Sequence, residues 1–209
     1  MKDKFISVPI HDLHHYVQMI YEYDVELVEH CKRVFWYCSV VSDYLFYNKY
    51  EELCRAALIH DIGKIMIPKY ILNKSTQLNK LDKLMISSHA RWGYELLSAS
   101  ELTEVERQMI LFHHGFICYP ALESIESEHS ITPCVDNDIL EGSLIMQACD
   151  IYDAVTSDRP YHVAKSHDIA MQALRDKHLP KHICDVVDLS FKHNDLPSDL
   201  QNAIELILI

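Results

Sequence analysis

The sequence has 209 residues, of which 49% are hydrophobic and 24% are charged, with only four glycines. This composition is typical of a soluble globular protein, and so few glycines argue against a β-rich fold with many tight turns. The formal net charge of −12 excludes a general binder of duplex nucleic acid, because such proteins use Lys and Arg to displace counterions from phosphates. A small phosphate-bearing substrate remains open, since metal ions can supply positive charge locally.

The seven cysteines are odd in number and scattered, and no Cys-x-x-Cys pair occurs. They predict reduced, buried thiols rather than a disulfide framework or a thiolate zinc site. Residues 1 to 9 lack the apolar run of a signal peptide, and no apolar stretch is long enough to span a bilayer. We therefore expect a cytoplasmic protein without a membrane contact.

Apolar residues recur at helical spacing through most of the chain. In chain order, helices are predicted from Val25 to Tyr47, Glu51 to Ile62, Asn79 to Leu97, Thr103 to about His113, Gly142 to Thr156, Asp168 to Arg175, and about Ser198 to the end. The helix that begins at Thr103 opens with a sequence of the capping-box form. The pattern predicts one all-α domain over residues 1–209, with residues 1–24 as an N-terminal extension.

The segment from Gly115 to Asp138 interrupts this pattern. It contains two prolines and several serines and glutamates, with little periodicity. A stretch of this length inside a compact domain is often a functional loop or lid, and the alternative is disorder.

The fourteen histidines are the strongest chemical signal. A lone histidine is more often a surface or core residue than a metal ligand, but five of these lie on or at the end of predicted helices: His30, His60, His89, His113 and His114. In His60-Asp61, the aspartate can bridge two cations while the histidine binds one of them. Gly63 then lets the chain turn, and Lys64 can face a substrate phosphate as a point charge.

Further candidate ligands follow from spacing. Glu26 and His30 are four apart and share one helix face, and the adjacent imidazoles of His113 and His114 can bind different metals. Asp150 and Asp153 lie three apart on an otherwise apolar helix. A buried carboxylate needs a partner, which is either a metal or an arginine such as Arg159.

The resulting ligand set consists of nitrogen and oxygen donors. It suits iron, manganese or a similar divalent ion better than a structural zinc site. Two such ions can lower the pKa of a bridging water and hold a phosphoryl group for in-line attack.

In their order along the chain, these residues resemble the HD-GYP family, bacterial HD-superfamily phosphodiesterases that hydrolyse cyclic di-GMP and, in some members, cyclic GMP-AMP. The resemblance spans about Glu26 to Ala170. The blocks that carry it are His30, His60-Asp61-Ile62-Gly63-Lys64, His89 with Gly93-Tyr94-Glu95-Leu96-Leu97, His113-His114, and the run from Asp150 through Arg159-Pro160 to Tyr161.

The resemblance implies an HD-domain helical bundle around a di- or trinuclear metal centre. The implied metal ligands are Glu26, His30, His60, Asp61, His89, His113, His114 and Asp150, with Asp61 bridging and Glu26 supporting a third metal. Asp61 and Lys64 would be catalytic, and the substrate would contact Lys64, Tyr119, Arg159 and Lys165. The implied cofactors are two or three divalent ions, with iron first and manganese as the alternative.

The sequence departs from the family at its name-giving loop. The family follows its paired histidines with a glutamate and a longer glycine-rich loop ending in Gly-Tyr-Pro, whereas this chain has Gly115 and then a shorter run. Cys118 stands at the first position of the triplet, while Tyr119 and Pro120 remain. A long polar insertion follows. The sequence therefore supports the predicted metal centre better than it supports the identity of the substrate.

The leading hypothesis is a phosphodiesterase that cleaves a cyclic dinucleotide through a hydroxide bridging the metals. The altered loop keeps open an HD-type hydrolase of another nucleotide or phosphoester. A third hypothesis is a metal-bearing binding module without catalysis, and a fourth is an oxygen-activating di-iron enzyme. The expected partner is a small phosphoester rather than duplex nucleic acid or membrane. We expect the apolar run from Ile204 to Ile209 to pack against the core, and a homodimer or protein partner would also cover it.

Overall fold

The structure is a computed structural model that describes residues 8–74, 76–115, 136–158 and 163–192. Within these ranges every regular element is helical, so the predicted all-α class is confirmed. The α-helices are α1 (His14–Tyr23), α2 (Val25–Tyr44), α3 (Tyr50–Ile59), α4 (Lys69–Leu72), α5 (Lys80–Ser87), α6 (His89–Leu96), α7 (Glu104–Phe112), α8 (Asn137–Thr156), α9 (His167–Asp176) and α10 (Lys181–Phe191). Short 3-10 turns occupy His11–Leu13, Ile62–Met66 and Leu97–Ala99.

The two 20-residue helices, α2 and α8, form the centre of the bundle. They pack against each other, α2 also packs on α3, and α8 is surrounded by α3, α7, α9 and α10. A helix enclosed by neighbours can be apolar on most of its faces, and α8 accordingly buries Ile145, Met146, Ala148 and Cys149. Polar side chains on these two helices therefore need partners inside the bundle.

Side chains fix where several helices begin. The Asp24 carboxylate accepts hydrogen bonds from the backbone N–H groups of Glu26 and Leu27 at the start of α2. The predicted capping box at Thr103 is present at the start of α7. Such caps satisfy backbone N–H groups that have no partner within the helix.

The predicted helix from Asn79 to Leu97 is two helices that meet at Ser88. The hydroxyls of Ser87 and Ser88 both donate to the Leu84 carbonyl oxygen, and such local bonds compete with the helical hydrogen-bond ladder. Three helices were not predicted: α1, which lies in the expected N-terminal extension, α4 and α10. The helix predicted from Ser198 onward lies outside the described residues.

The described cysteines are buried, as predicted, and form no disulfide: Cys31, Cys38, Cys54, Cys149 and Cys184. Cys118 and Cys134 lie outside the described residues. Among the helices the structure describes, none combines the length and apolarity needed to cross a membrane.

Candidate metal centre

The predicted ligands other than Glu26 converge at one place in the bundle. Their ligand atoms form three overlapping groups, each within 4.8 Å: His89, His113 and His114; His30, His60 and Asp61; and His60, His113 and Asp150. Five parts of the chain supply them, namely α2, the end of α3, the start of α6, the end of α7, and α8. The bundle therefore brings together residues that are far apart in the sequence.

Asp61 lies between the histidines. Its Oδ1 is 3.0 Å from His89 Nε2, while its Oδ2 is 3.5 Å from the Nε2 atoms of both His30 and His60. The two oxygens thus face different members of the cluster, as a carboxylate that bridges two cations must.

The imidazoles of His89, His113 and His114 approach one another through their Nε2 atoms. His89 Nε2 lies 3.2 Å from His113 Nε2 and 3.1 Å from His114 Nε2. On the opposite side of Asp61, His30 Nε2 lies 3.1 Å from Asp150 Oδ1. The cluster is therefore continuous from His30 to His114.

Backbone carbonyls orient three of the imidazoles. The Nδ1 atoms of His60, His89 and His113 lie 2.8, 2.5 and 2.6 Å from the carbonyl oxygens three residues earlier. A carbonyl can only accept, so each Nδ1 carries the proton and each neutral ring presents the Nε2 lone pair to the cluster. This arrangement is the usual outer support of a metal-binding histidine.

These carbonyls are available because the histidines follow helix ends. Ala57, Ile86 and Ile110 lie in the last turns of α3, α5 and α7, where carbonyl oxygens lack intrahelical N–H partners. The local sequence thus provides both the ligand and the group that orients it.

The donor atoms fit a divalent cation. His60 Nε2 and Asp61 Oδ1 are buried and accept no hydrogen bond, which is costly for polar atoms. With Nδ1 protonated, the close Nε2 atoms of His89 and His113 are both acceptors, and so is Asp61 Oδ1. Cations held in the three ligand groups would satisfy these acceptors. Nitrogen and oxygen donors of this kind suit a redox-active or hydrolytic divalent metal.

At Asp61 and three of the histidines, electrostatics favour the protonation states that metal binding requires. Burial lowers the pKa of His60 and His113, and it lowers the pKa of His114 to about 4. Burial alone would raise the pKa of Asp61, but the positive charge of Lys64 holds it well below its usual range. Neutral imidazoles and an ionised carboxylate are the ligand forms.

Lys64 adds a positive charge at the edge of the cluster. Its Nζ lies 2.5 Å from Asp61 Oδ2, and its side chain is 18% exposed. Burial opposes its charged form, yet Asp61 and Asp150 raise the pKa of Lys64. A permanent point charge beside the candidate bridging carboxylate is well placed to meet a phosphate oxygen.

The structure separates the roles of the two aspartates on α8. Asp150 joins the candidate ligand groups, whereas Asp153 accepts hydrogen bonds from Arg33 Nε at 2.6 Å and lies 2.7 Å from His30 Nδ1. Burial would raise the pKa of Asp153, but His30 and Arg33 hold it at about 2. Asp153 therefore has an arginine partner of the kind the sequence predicts, and within the described residues it is Arg33. The sequence analysis did not single out Arg33, although it lies three residues from His30.

Four other predicted site residues are not brought into the cluster by the described structure. Glu26 is exposed in the first turn of α2 and is not in the three ligand groups. Lys165 is exposed, and its backbone N–H donates to the Val155 carbonyl oxygen at 2.9 Å. Tyr119 and Arg159 lie outside the described residues, as does most of the loop predicted from Gly115 to Asp138. Their assigned roles stay predictions.

A close backbone contact fixes the His60-Asp61 pair against α6. A Cβ atom on Gly63 would lie 1.9 Å from the His89 carbonyl oxygen and 2.5 Å from the Gly93 nitrogen. Only glycine allows this approach. The turn that follows Asp61 therefore packs directly on the helix that begins with His89.

Comparisons with known proteins agree with this geometry. The family model for the HD domain matches residues 27–155. The response regulator RpfG of Xanthomonas campestris, a cyclic di-GMP phosphodiesterase, is 33% identical over 121 residues, covering 57% of this chain and 30% of that protein. The 3'3'-cGAMP-specific phosphodiesterase 3 of Vibrio cholerae is 26% identical over 149 residues, covering 70% and 31%.

A cyclic di-GMP phosphodiesterase of Thermotoga maritima is 28% identical over 163 residues, covering 76% of this chain and 42% of that protein. The chain thus spans between 30% and 42% of the length of these three relatives. Among solved structures, the HD domain of the Listeria monocytogenes phosphodiesterase PgpH matches with a TM-score of 0.57 at 16% identity, covering 92% of this chain and 94% of that one. This likeness confirms the predicted HD-type bundle, and with the family match over residues 27–155 it shows that the chain belongs to the HD domain family.

Proposed function

We propose that this chain is a metal-dependent phosphodiesterase that hydrolyses a cyclic dinucleotide. The observation that carries the proposal is the buried cluster of histidine nitrogens around Asp61, with the Lys64 ammonium beside it. The three curated relatives compared above are named as cyclic di-GMP or 3'3'-cGAMP phosphodiesterases, which supports the substrate class.

Each residue has a defined task in this reaction. His60, His89, His113, His114 and Asp150 would hold the ions, with Asp61 shared between two of them and His30 at the far side of the cluster. Bound divalent ions would supply an activated water and neutralise charge on the phosphoryl group. Lys64 would bind a non-bridging phosphate oxygen as a point charge. Iron is the metal we favour, with manganese as the alternative, because the donors are imidazole and carboxylate.

The residue that follows His114 is a reason to test several dinucleotides as substrates. Gly115 has φ +90°, a backbone conformation that glycine adopts readily and a glutamate does not. A Cβ there would lie 3.6 Å from Gln147 Nε2, so the Gln147 amide stands next to the residue that follows the paired histidines. An amide can both donate and accept hydrogen bonds, so Gln147 would offer a purine edge a different contact from a carboxylate at position 115.

The test is turnover of cyclic di-GMP, 3'3'-cGAMP and cyclic di-AMP by the full chain, purified without oxygen and loaded with Fe²⁺ or Mn²⁺. Chromatography should show a linear dinucleotide or mononucleotides from at least one of the three. His60→Ala should abolish both turnover and metal binding, whereas His182→Ala, which removes an exposed histidine paired with Glu141, should leave both unchanged.

The results separate the alternatives. Tight dinucleotide binding without product would favour a binding module. Turnover of other nucleotides or phosphoesters alone would favour a different HD-type hydrolase. Turnover retained in His60→Ala would refute the metal mechanism.

A further inference from the structure

The carboxylate of Asp153 has a complete set of hydrogen-bond donors. Arg33 contributes Nε at 2.6 Å and Nη2 at 3.1 Å, Ser157 contributes Oγ at 2.9 Å, and His30 Nδ1 lies 2.7 Å away. The Asp153 side chain is fully buried. Because these donors use both of its oxygens, Asp153 is suited to hold other groups in place rather than to bind a metal ion.

His30 needs such a support because of its position in the fold. The other oriented histidines follow helix ends and use carbonyls of the last turn, as described above. His30 lies inside α2, where the backbone carbonyls are used by the helix itself. An acceptor for its Nδ1 therefore has to come from a side chain, and Asp153 of α8 supplies it across the interface between the two central helices.

The support points the ring at the cluster. With Nδ1 held by Asp153, His30 Nε2 lies 3.1 Å from Asp150 Oδ1 and 3.5 Å from Asp61 Oδ2. Arg33 in turn holds Asp153 in a two-point contact from the same helix as His30, three residues later. The chain of contacts from Arg33 through Asp153 to His30 thus fixes a ring that can otherwise rotate about its side-chain torsions.

We propose that Asp153 and Arg33 are positioning residues of the metal centre: Arg33 fixes the Asp153 carboxylate, and Asp153 fixes His30 with its Nε2 turned toward Asp61 and Asp150. This inference rests on the metal centre of the proposed function and extends it to residues that do not touch the ions. Outer supports of this kind change metal affinity by about 10- to 100-fold when removed.

The test compares Mn²⁺ affinity of the full chain and its variants, measured by the loss of the free Mn²⁺ electron paramagnetic resonance signal. Asp153→Asn keeps the side-chain shape, but its amide NH₂ cannot accept from Arg33 or His30. It should weaken Mn²⁺ binding by about 10- to 100-fold. Arg33→Lys keeps the charge but loses the two-point contact, so it should weaken binding less than Asp153→Asn does.

A matched control is Glu106→Gln. Glu106 is also buried, at 1% exposure, and accepts a hydrogen bond from the Nε of Arg55. It belongs to none of the three ligand groups. Its loss should destabilise the fold through the same kind of broken ion pair while leaving Mn²⁺ affinity unchanged. Circular dichroism identifies a temperature at which every variant is folded, and the Mn²⁺ affinities are compared at that temperature.

Mn²⁺ affinities equal to wild type in both Asp153→Asn and Arg33→Lys would overturn the inference, as would an equal loss in Glu106→Gln. Wild-type protein that binds no Mn²⁺ would overturn it too, because there would be no ion to position. Wild-type protein that binds Mn²⁺ but turns over no dinucleotide would instead refute the proposed function, and the affinity comparison would still decide the roles of Asp153 and Arg33.

Discussion

Gly63→Ala tests whether the close backbone contact at the metal centre is required. The added methyl would lie 1.9 Å from the His89 carbonyl oxygen and 2.5 Å from the Gly93 nitrogen. Both are backbone atoms, so no side chain can rotate away. The turn Ile62–Met66 or helix α6 must move. Overpacking in a tight core lowers the free energy of unfolding by about 1–3 kcal/mol. Because the added methyl meets backbone atoms at such short distances, we expect Gly63→Ala to lower it by about 3 kcal/mol or more.

The displacement should also reach the ligands. His60 and Asp61 precede Gly63, and His89 is the very residue whose carbonyl the methyl meets. Moving these segments apart lengthens the 3.0 Å approach of His89 Nε2 to Asp61 Oδ1. We expect Gly63→Ala to lose bound metal as well as stability, in contrast to a substitution that only opens a cavity elsewhere in the core.

Gly93→Ala is the matched control on the other side of the contact. A Cβ there meets its nearest atoms at 3.4 Å, which is close to ordinary packing. Replacing a glycine inside a helix by alanine favours the helix by about 1 kcal/mol, so this variant should be as stable as wild type or slightly more so. Urea unfolding and metal content by mass spectrometry measure both effects. A Gly63→Ala protein with wild-type stability and metal content would refute the reasoning.

Two further predictions concern metal and pH. Free metal at 100 times its dissociation constant stabilises a folded protein by about 2.7 kcal/mol. A chelator should therefore lower the Tm of the metal-loaded protein by about 5–10 °C. A Tm that chelation leaves unchanged, or that it lowers equally in His60→Ala, would contradict metal binding at this cluster. The hydrogen bond from Arg55 lowers the pKa of Asp12 despite partial burial. The Asp12–Arg55 ion pair therefore stabilises the fold above the unfolded-state pKa of about 3.9, and this stabilisation is lost as the pH falls through the lower pKa of the folded state. Asp12→Asn should therefore be less stable than wild type at pH 6, and the difference should shrink below about pH 4; a difference that stays constant with pH would contradict this ion pair.

The metal cluster was predictable from sequence because its ligands carry local signals. His60-Asp61 and His113-His114 are adjacent pairs that follow apolar helical runs. The two helices end at Ile59 and Phe112, close to the predicted ends at Ile62 and about His113. Helical periodicity fixes where such residues stand relative to the core. It therefore predicted which histidines would be buried together.

The outer support of the cluster was not predictable in the same way. Arg33 and Asp153 meet across 120 positions of sequence, and spacing along one helix cannot show which residue of a second helix lies opposite. Arg159, the arginine that the sequence suggests as an alternative partner, lies outside the described residues, so its role stays a prediction. Glu26 was placed with His30 by helical spacing and by the family resemblance, and it lies in the exposed first turn of α2, outside the three ligand groups.

The missed helices also have a physical cause. Helix α1 buries only Val17 and Ile20 among histidines and tyrosines, so its apolar stripe is too sparse to stand out. The break at Ser88 depends on hydroxyl groups bonding to a carbonyl one turn back, and serine in a sequence does not show whether its side chain points to solvent or to the backbone.

The distribution of ligands along the chain has a consequence for how the protein acquires its metal. His30 and its supporting residue Asp153 are 123 positions apart, and the other candidate ligands lie between them. Closing a loop of that length is slow and occurs only once the intervening helices are formed. The site should therefore assemble in the last stages of folding, so that the ion enters a nearly finished bundle instead of nucleating it, and a newly made chain would first exist as a folded protein waiting for metal.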